Sequence, residues 1–235
     1  MTRKLYLALA LLAGSMIAMP APAHEAGTWI VRAGGGAVSP DSNNLFLETS
    51  ELEDGTVVNN TYLQVDDAAS LVLSATYMLY EHWGIDILAS APFEHDLDIT
   101  GTVDGSRVSI PVGSVQHLPP TVSLQYHFAP EAAFQPYVGF GVNYTIFFSE
   151  DLTSNAADLA IVGIELKDSS GIALQVGADW VFGQKWLVNI DARYIQIEPQ
   201  LDITADLDGD VVTFSVPGRV EINPFVYSLS VGYRF

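Results

Sequence analysis

Apolar side chains along this chain recur at every second residue, and that period constrains the fold more than any other feature. Phe225, Tyr227, Leu229, Val231, Tyr233 and Phe235 share one parity, against Val226, Ser228, Ser230, Gly232 and Arg234 on the other. Val138 to Phe148 alternates with Gly139, Gly141, Asn143 and Thr145, and Ile172 to Phe182 alternates with Gln175, Gly177 and Asp179. Successive side chains of a strand point to opposite faces, so a period of two reads as strand. Helical periodicity is hard to find. A membrane-crossing helix needs about 20 apolar residues in a row. The longest uncharged stretch, Val108 to Pro130, carries four prolines.

Eight alternating segments emerge, near 27–38, 67–80, 84–98, 117–129, 136–148, 171–183, 186–204 and 219–235. Long acidic connections at 39–66, 99–116, 149–170 and 205–218 alternate with short ones at 81–83, 130–135 and 184–185. Long–short alternation is what an up-and-down antiparallel barrel gives when its two ends face different environments. The predicted fold class is all-β: an eight-stranded antiparallel up-and-down transmembrane β-barrel.

Residues 1–23 read as a secretory signal. Arg3 and Lys4 precede the apolar run Leu5–Ala13, and Ala21-Pro22-Ala23 is a small-x-small cleavage site. The run is short for an anchor, and Pro20 and Pro22 close it. The barrel domain is then 24–235. Losing Arg3 and Lys4 takes the formal charge from −19 to −21. So few bases exclude nucleic acid as a partner, because binding it depends on displacing counterions. The absence of cysteine excludes disulfide scaffolds and thiolate metal sites.

Which parity faces out separates a membrane barrel from a soluble lipocalin-like one. The apolar parity carries no charge, whereas the other holds Arg32, Asp86, Glu94, Asp179, Asp191, Arg193 and Arg234. A dry soluble core cannot take these charges, but the interior of a membrane barrel can. Trp29, Trp83, Trp180 and Trp186 fall at the short-turn end, where an interfacial girdle belongs. Tyr233 and Phe235 extend it, and the terminal Phe235 suits recognition of the last strand by the barrel assembly machinery. The expected setting is the bacterial outer membrane, with outer-membrane lipid and lipopolysaccharide as surroundings.

His24–Gly34, Ala91-Pro92-Phe93, His117–Thr121, Pro136–Gly139 with Gly141 and Asn143-Tyr144, Leu166–Ser169, Gln175–Asp179, Trp186–Asn189 and Gly232–Phe235 form a set of motifs along the chain. In that set the chain resembles the outer membrane protein W family. Ser123–His127 and Asp191–Ile195 are similar to its alkane-uptake branch. The resemblance implies an eight-stranded barrel with an apolar interior. It also implies passive uptake of small hydrophobic molecules, delivered sideways into the membrane.

Three candidate features follow from strand height. Arg32, Asp86, Asp179, Asp191, Arg193 and Arg234 lie mainly in the periplasmic half of the interior. They form either a mutually paired charged floor or a set of groups that meet water. Val72, Leu88, Phe147, Ile195, Ile197, Ile222 and Val226 take inward parity. They are either packing or the lining of an apolar lumen, and the resemblance favours the lumen. Pro92 on the third strand and Pro119 and Pro120 on the fourth fall at similar height. Proline lacks an N–H, so they mark either a lateral exit seam or a bulge.

A structural or adhesion barrel with acidic surface loops is an alternative. An outer-membrane enzyme is a further one, and no catalytic group, cofactor or metal is predicted. His95, among Glu94, Asp96 and Asp98, reads as a solvated loop edge. His117 and His127 stand too far apart on one strand to share a site.

Overall fold

The computed structural model describes residues 25–41, 46–47, 50–51, 57–207, 209–216 and 219–235. The proposed signal segment lies outside them, as do His24 and the loop acids Glu48, Glu53, Asp54 and Asp208. The strands in chain order are β1 (Trp29–Ser39), β2 (Phe46–Leu47), β3 (Ser50–Glu51), β4 (Val57–Val65), β5 (Ala68–Met78), β6 (Trp83–Ser90), β7 (Phe93–Val103) and β8 (Ser106–Leu118). They continue as β9 (Thr121–His127), β10 (Phe134–Leu152), β11 (Ile161–Leu166), β12 (Ser169–Phe182), β13 (Trp186–Ile195), β14 (Leu201–Leu207), β15 (Asp210–Ser215) and β16 (Phe225–Arg234). Among the described residues one short helix, α1 (Ser154–Asp158), interrupts them.

Eight strands close into an antiparallel barrel in the order β1, β5, β6, β9, β10, β12, β13, β16. The first and last join over Ile30↔Arg234 to Ser39↔Phe225, and the Phe235 amide donates to the Trp29 carbonyl at 2.9 Å. Closure pairs the first strand with the last, which is what hydrocarbon demands of backbone polar groups. Among the described residues no helix is long and apolar enough to cross a membrane.

The alternation follows from this closure. Leu71, Leu73, Ile85, Ile87, Val122, Leu124, Val138, Phe140, Val176 and Leu229 are all exposed on the outer wall, and no Asp, Glu, Lys or Arg interrupts that band. A crossing strand needs about 9–11 residues, so the 19-residue β10 rises well above the crossing.

The long connections are themselves sheet, contrary to the loops expected at 99–116, 149–170 and 205–218. β7 and β8 form one hairpin from Phe93↔His117 to Val103↔Ser106, with a register shift between Leu97 and Asp98. Its turn is Asp104-Gly105, both at positive φ (49° and 76°), the left-handed pair that a two-residue hairpin requires. β4, β7, β8 and the upper part of β10 pair side by side above the barrel, and β11, β14 and β15 form a separate three-stranded sheet. The seventh strand is also shorter than expected, since β13 ends at Ile195.

A second correction concerns facing. Glu94, expected to point inward, is exposed, and His95, expected at a solvated edge, is buried. The cause is one extra residue. Between the pairs Leu88↔Thr121 and Phe93↔His117 the third stave spends five steps and the fourth only four. Ala91 and Pro92 both face out, and the parity of the third stave inverts above them. A bulge of this kind exchanges the two faces of a strand.

Candidate functional site

A polar layer crosses the lower barrel, and every one of the eight staves contributes to it. Arg32 of β1 is held by Asp179 of β12 in a two-point pair, Nε to Oδ1 at 3.0 Å and Nη2 to Oδ2 at 2.5 Å. Its Nη1 donates to Thr76 Oγ1 of β5 at 2.7 Å, and that hydroxyl donates onward to Asp86 of β6 at 2.8 Å. Arg193 of β13 bridges Asp86 and Asp191, each at 2.8 Å. Tyr137 of β10 and Gln175 of β12 both donate to Asp191 Oδ2, at 2.9 and 2.6 Å. Gln125 of β9 donates to Gln175 at 3.1 Å, and Asn189 of β13 donates to Asp179 at 2.8 Å. Arg234 of β16 donates to Gln135 of β10 at 2.6 Å.

All six charged residues predicted for this region stand together here, each at most 8% exposed. Isolated charges at such depth would each cost several kcal/mol, and here opposite charges and amide groups offset most of that cost, although Arg193 Nη1 has no hydrogen-bond partner among the described residues. Thr76, Gln125, Tyr137, Gln175 and Asn189 belong to the same network, Gln135 pairs with Arg234, and none of the six was assigned a site role from the sequence. Their only signal was inward parity. Gly177 makes room for them, since a Cβ there would lie 2.4 Å from the Tyr137 hydroxyl and 2.9 Å from Asp191.

Beneath the polar layer, Ile30, Met78, Val181 and Leu187 pack into a small buried apolar cluster at the short-turn end. Above it lies a larger one. Val72, Leu88, Phe147, Ile195, Ile197, Ile222 and Val226 all belong to this upper cluster, together with Phe93, Leu97 and Val115.

Pro92, Pro119 and Pro120 flank the interruption between the third and fourth staves. The ladder stops at Leu88↔Thr121 and resumes at Phe93↔His117. Each stave stays bonded to its other neighbour. Ala91 donates to Leu71 of β5 at 2.9 Å, and the Pro120 carbonyl accepts from Tyr144 of β10 at 3.1 Å. Beside the interruption a groove of about 550 Å³ runs along the outer wall, lined by Ala33, Leu71, Leu73, Ala89 and Ala91 among others.

The aromatics of the short-turn end pair across neighbouring strands and, at the C-terminal end of β16, along one. Ring centroids lie 4.9 Å apart in Trp29–Tyr77 and Trp83–Tyr126, 5.5 Å in Phe134–Trp180, 5.0 Å in Trp186–Tyr233 and 4.9 Å in Tyr233–Phe235. The tryptophans are each between 42% and 50% exposed, half in the wall and half out of it. Among the described residues no cluster of three or more His, Asp or Glu is arranged to hold a metal ion.

Known proteins share this architecture. The chain is 34% identical over 229 residues to outer membrane protein W of Vibrio cholerae, covering 97% of each chain. It is 28% identical over 185 residues to outer membrane protein AlkL of Ectopseudomonas oleovorans, covering 77% of this chain and 72% of that one. The crystal structure of outer membrane protein OprG from Pseudomonas aeruginosa superimposes with a TM-score of 0.77 at 34% identity, covering 91% of this chain and 98% of that one. The relatives are outer-membrane proteins and the apolar band of this barrel suits the same setting. The family model described as the OmpW family matches residues 25–235, and this chain belongs to the outer membrane protein W family as an outer-membrane β-barrel.

Proposed function

We propose that this barrel is a channel for passive uptake of small hydrophobic molecules. A solute enters at the outer mouth and partitions into the apolar upper interior. The paired polar layer, backed by the Ile30–Met78–Leu187 cluster, acts as a floor that denies it a straight path to the periplasm. It leaves sideways, between the third and fourth staves, into lipid. The observation that carries this reading is the interrupted ladder from Leu88↔Thr121 to Phe93↔His117, bordered by three prolines. The interruption lies above the charges and beside the apolar cluster that contains Leu88, Phe93 and Phe147. The outer-wall groove beside it offers an apolar path onward. An apolar lining with few polar groups is also what binding sites for apolar ligands look like.

The test replaces Pro92 and Pro119 with alanine, giving each position a backbone donor. Uptake of an apolar fluorophore into vesicles containing the barrel should fall several-fold while the folded yield is unchanged. Uptake equal to that of the parent protein would remove the seam from the mechanism. A barrel that moves no apolar solute at all would overturn the channel reading.

A further inference from the structure

Just above the seam two histidines meet inside the barrel. His95 of β7 and His117 of β8 are 2% and 4% exposed, and their Nε2 atoms lie 2.8 Å apart. Their ring centroids are 4.9 Å apart, so the rings meet nearly edge to edge, and Phe93 and Phe147 pack against His117 with centroids at 5.6 and 5.7 Å. His117 forms the first backbone pair above the break, opposite Phe93. The side-chain contact therefore ties the two staves together at the upper lip of the seam.

The geometry allows one proton arrangement. The Asp66 carbonyl can only accept, and His95 Nδ1 lies 2.6 Å from it, so Nδ1 of His95 carries the proton. Nε2 of neutral His95 is then a lone pair, and His117 donates its Nε2–H to it. That leaves His117 Nδ1 as a lone pair, buried and with no hydrogen-bond partner. A proton added to His117 goes to Nδ1 and creates a cationic N–H with nothing to accept it. A proton added to His95 goes to Nε2, against the N–H of His117. A metal ion between the two Nε2 atoms meets the same obstacle, because His117 would have to carry its proton on the unpartnered Nδ1.

We propose that His95 and His117 form a proton-released latch across the upper lip of the seam: neutral, the pair fastens β7 to β8, and acidification of the outer medium breaks it and loosens the lip. The proposal rests on the lateral-exit reading for its consequence, but not for its chemistry. His95 stands twelve residues along the third stave from the interfacial Trp83, past the about 9–11 that a crossing strand needs, and burial there disfavours its charged form. Asp66 and Asp67 of the β4–β5 link and Asp96 of β7 partly offset this. Glu94, also on β7, is bound on the outer face by Gln116 of β8 at 3.0 Å, and β10 brings only the uncharged Phe147. A base with a depressed pKa in the closed form favours that form above the pKa of a free imidazole, about 6.5, and loses the advantage as the pH falls below it.

The test uses the full barrel in lipid nanodiscs. At pH 7.5, nitrogen-15 spectra should show His95 protonated on Nδ1 and His117 on Nε2. Amide exchange at Phe93 and His117, corrected for its intrinsic pH dependence, should report an opening equilibrium that grows below about 6.5 by up to about tenfold per pH unit for each imidazole that gains a proton. In His117→Phe and in His95→Phe one buried imidazole remains, so the rise should be shallower, and in the double variant it should be flat. The opposite tautomers, the parental rise in the double variant or no rise in the parent would each overturn the latch. So would a joint shift of both imidazoles on adding Zn²⁺ at neutral pH, which would make the pair a metal site. If exchange responds to pH while no apolar solute crosses, the channel reading falls and the latch stands.

Discussion

At the residue scale, the polar layer is a set of charges that cannot be removed one at a time. Asp179 accepts two bonds from Arg32 and one from Asn189. Asp179→Ala leaves the Arg32 guanidinium buried without its main counter-charge. Breaking a buried pair from one side costs about 3–5 kcal/mol, and replacing both partners with apolar residues recovers much of it. Urea unfolding in micelles should therefore show Asp179→Ala strongly destabilised and the Arg32→Met, Asp179→Leu double variant closer to the parent. Gly177→Ala belongs to the same scale. Its methyl would overlap the Tyr137 hydroxyl, so it should weaken the barrel although alanine suits a strand at least as well as glycine. None of these pairings was legible in the sequence. Arg32 and Asp179 are 147 residues apart, and parity names the face without naming the partner across the lumen.

At the element scale, most of the fold was legible, and for a physical reason. Lipid outside and polar groups inside impose a period of two on every crossing strand, so Val138–Phe148 and Phe225–Phe235 declared their faces without any long-range information. The inversion at Pro92 was hidden because one inserted residue leaves the pattern on each side intact. The β7–β8 hairpin was hidden by its acids, although Asp104-Gly105 carried the turn signal within the stretch taken for loop. The last strand yields a prediction of its own. Phe235 bonds to Trp29 through its amide and rests its ring on Tyr233. If the assembly machinery reads this end, deleting Phe235 should lower the amount of heat-modifiable barrel in outer membranes more than it lowers refolding of the purified chain in micelles.

For the whole molecule, the charge distribution has a direction. The buried charges of the lower barrel are three acids and three bases, so the formal −19 of the chain resides elsewhere. Glu94, Asp96, Asp104, Asp151, Asp206 and Asp210 are exposed above the crossing. Such a field repels anions and leaves neutral solutes untouched. Uptake of an apolar anion should therefore rise when ionic strength goes from about 0.01 to 0.15 M, as the screening length shrinks from about 30 to 8 Å. Uptake of a neutral analogue should stay constant. Equal salt response for both solutes would remove the mouth as a selector.

The extra residue in the third stave also sets a rule for length change. From Phe93 to Leu97 the facing of each side chain depends on whether the count of residues after Leu88 is odd or even. Losing or gaining one residue there would turn Phe93, His95 and Leu97 out to solvent and bring Glu94 and Asp96 into the apolar interior. A change of two would shift height but preserve facing. The segment between Leu88 and Phe93 should therefore accept insertions in pairs and reject single ones, so that its tolerance is counted in parity and not in size.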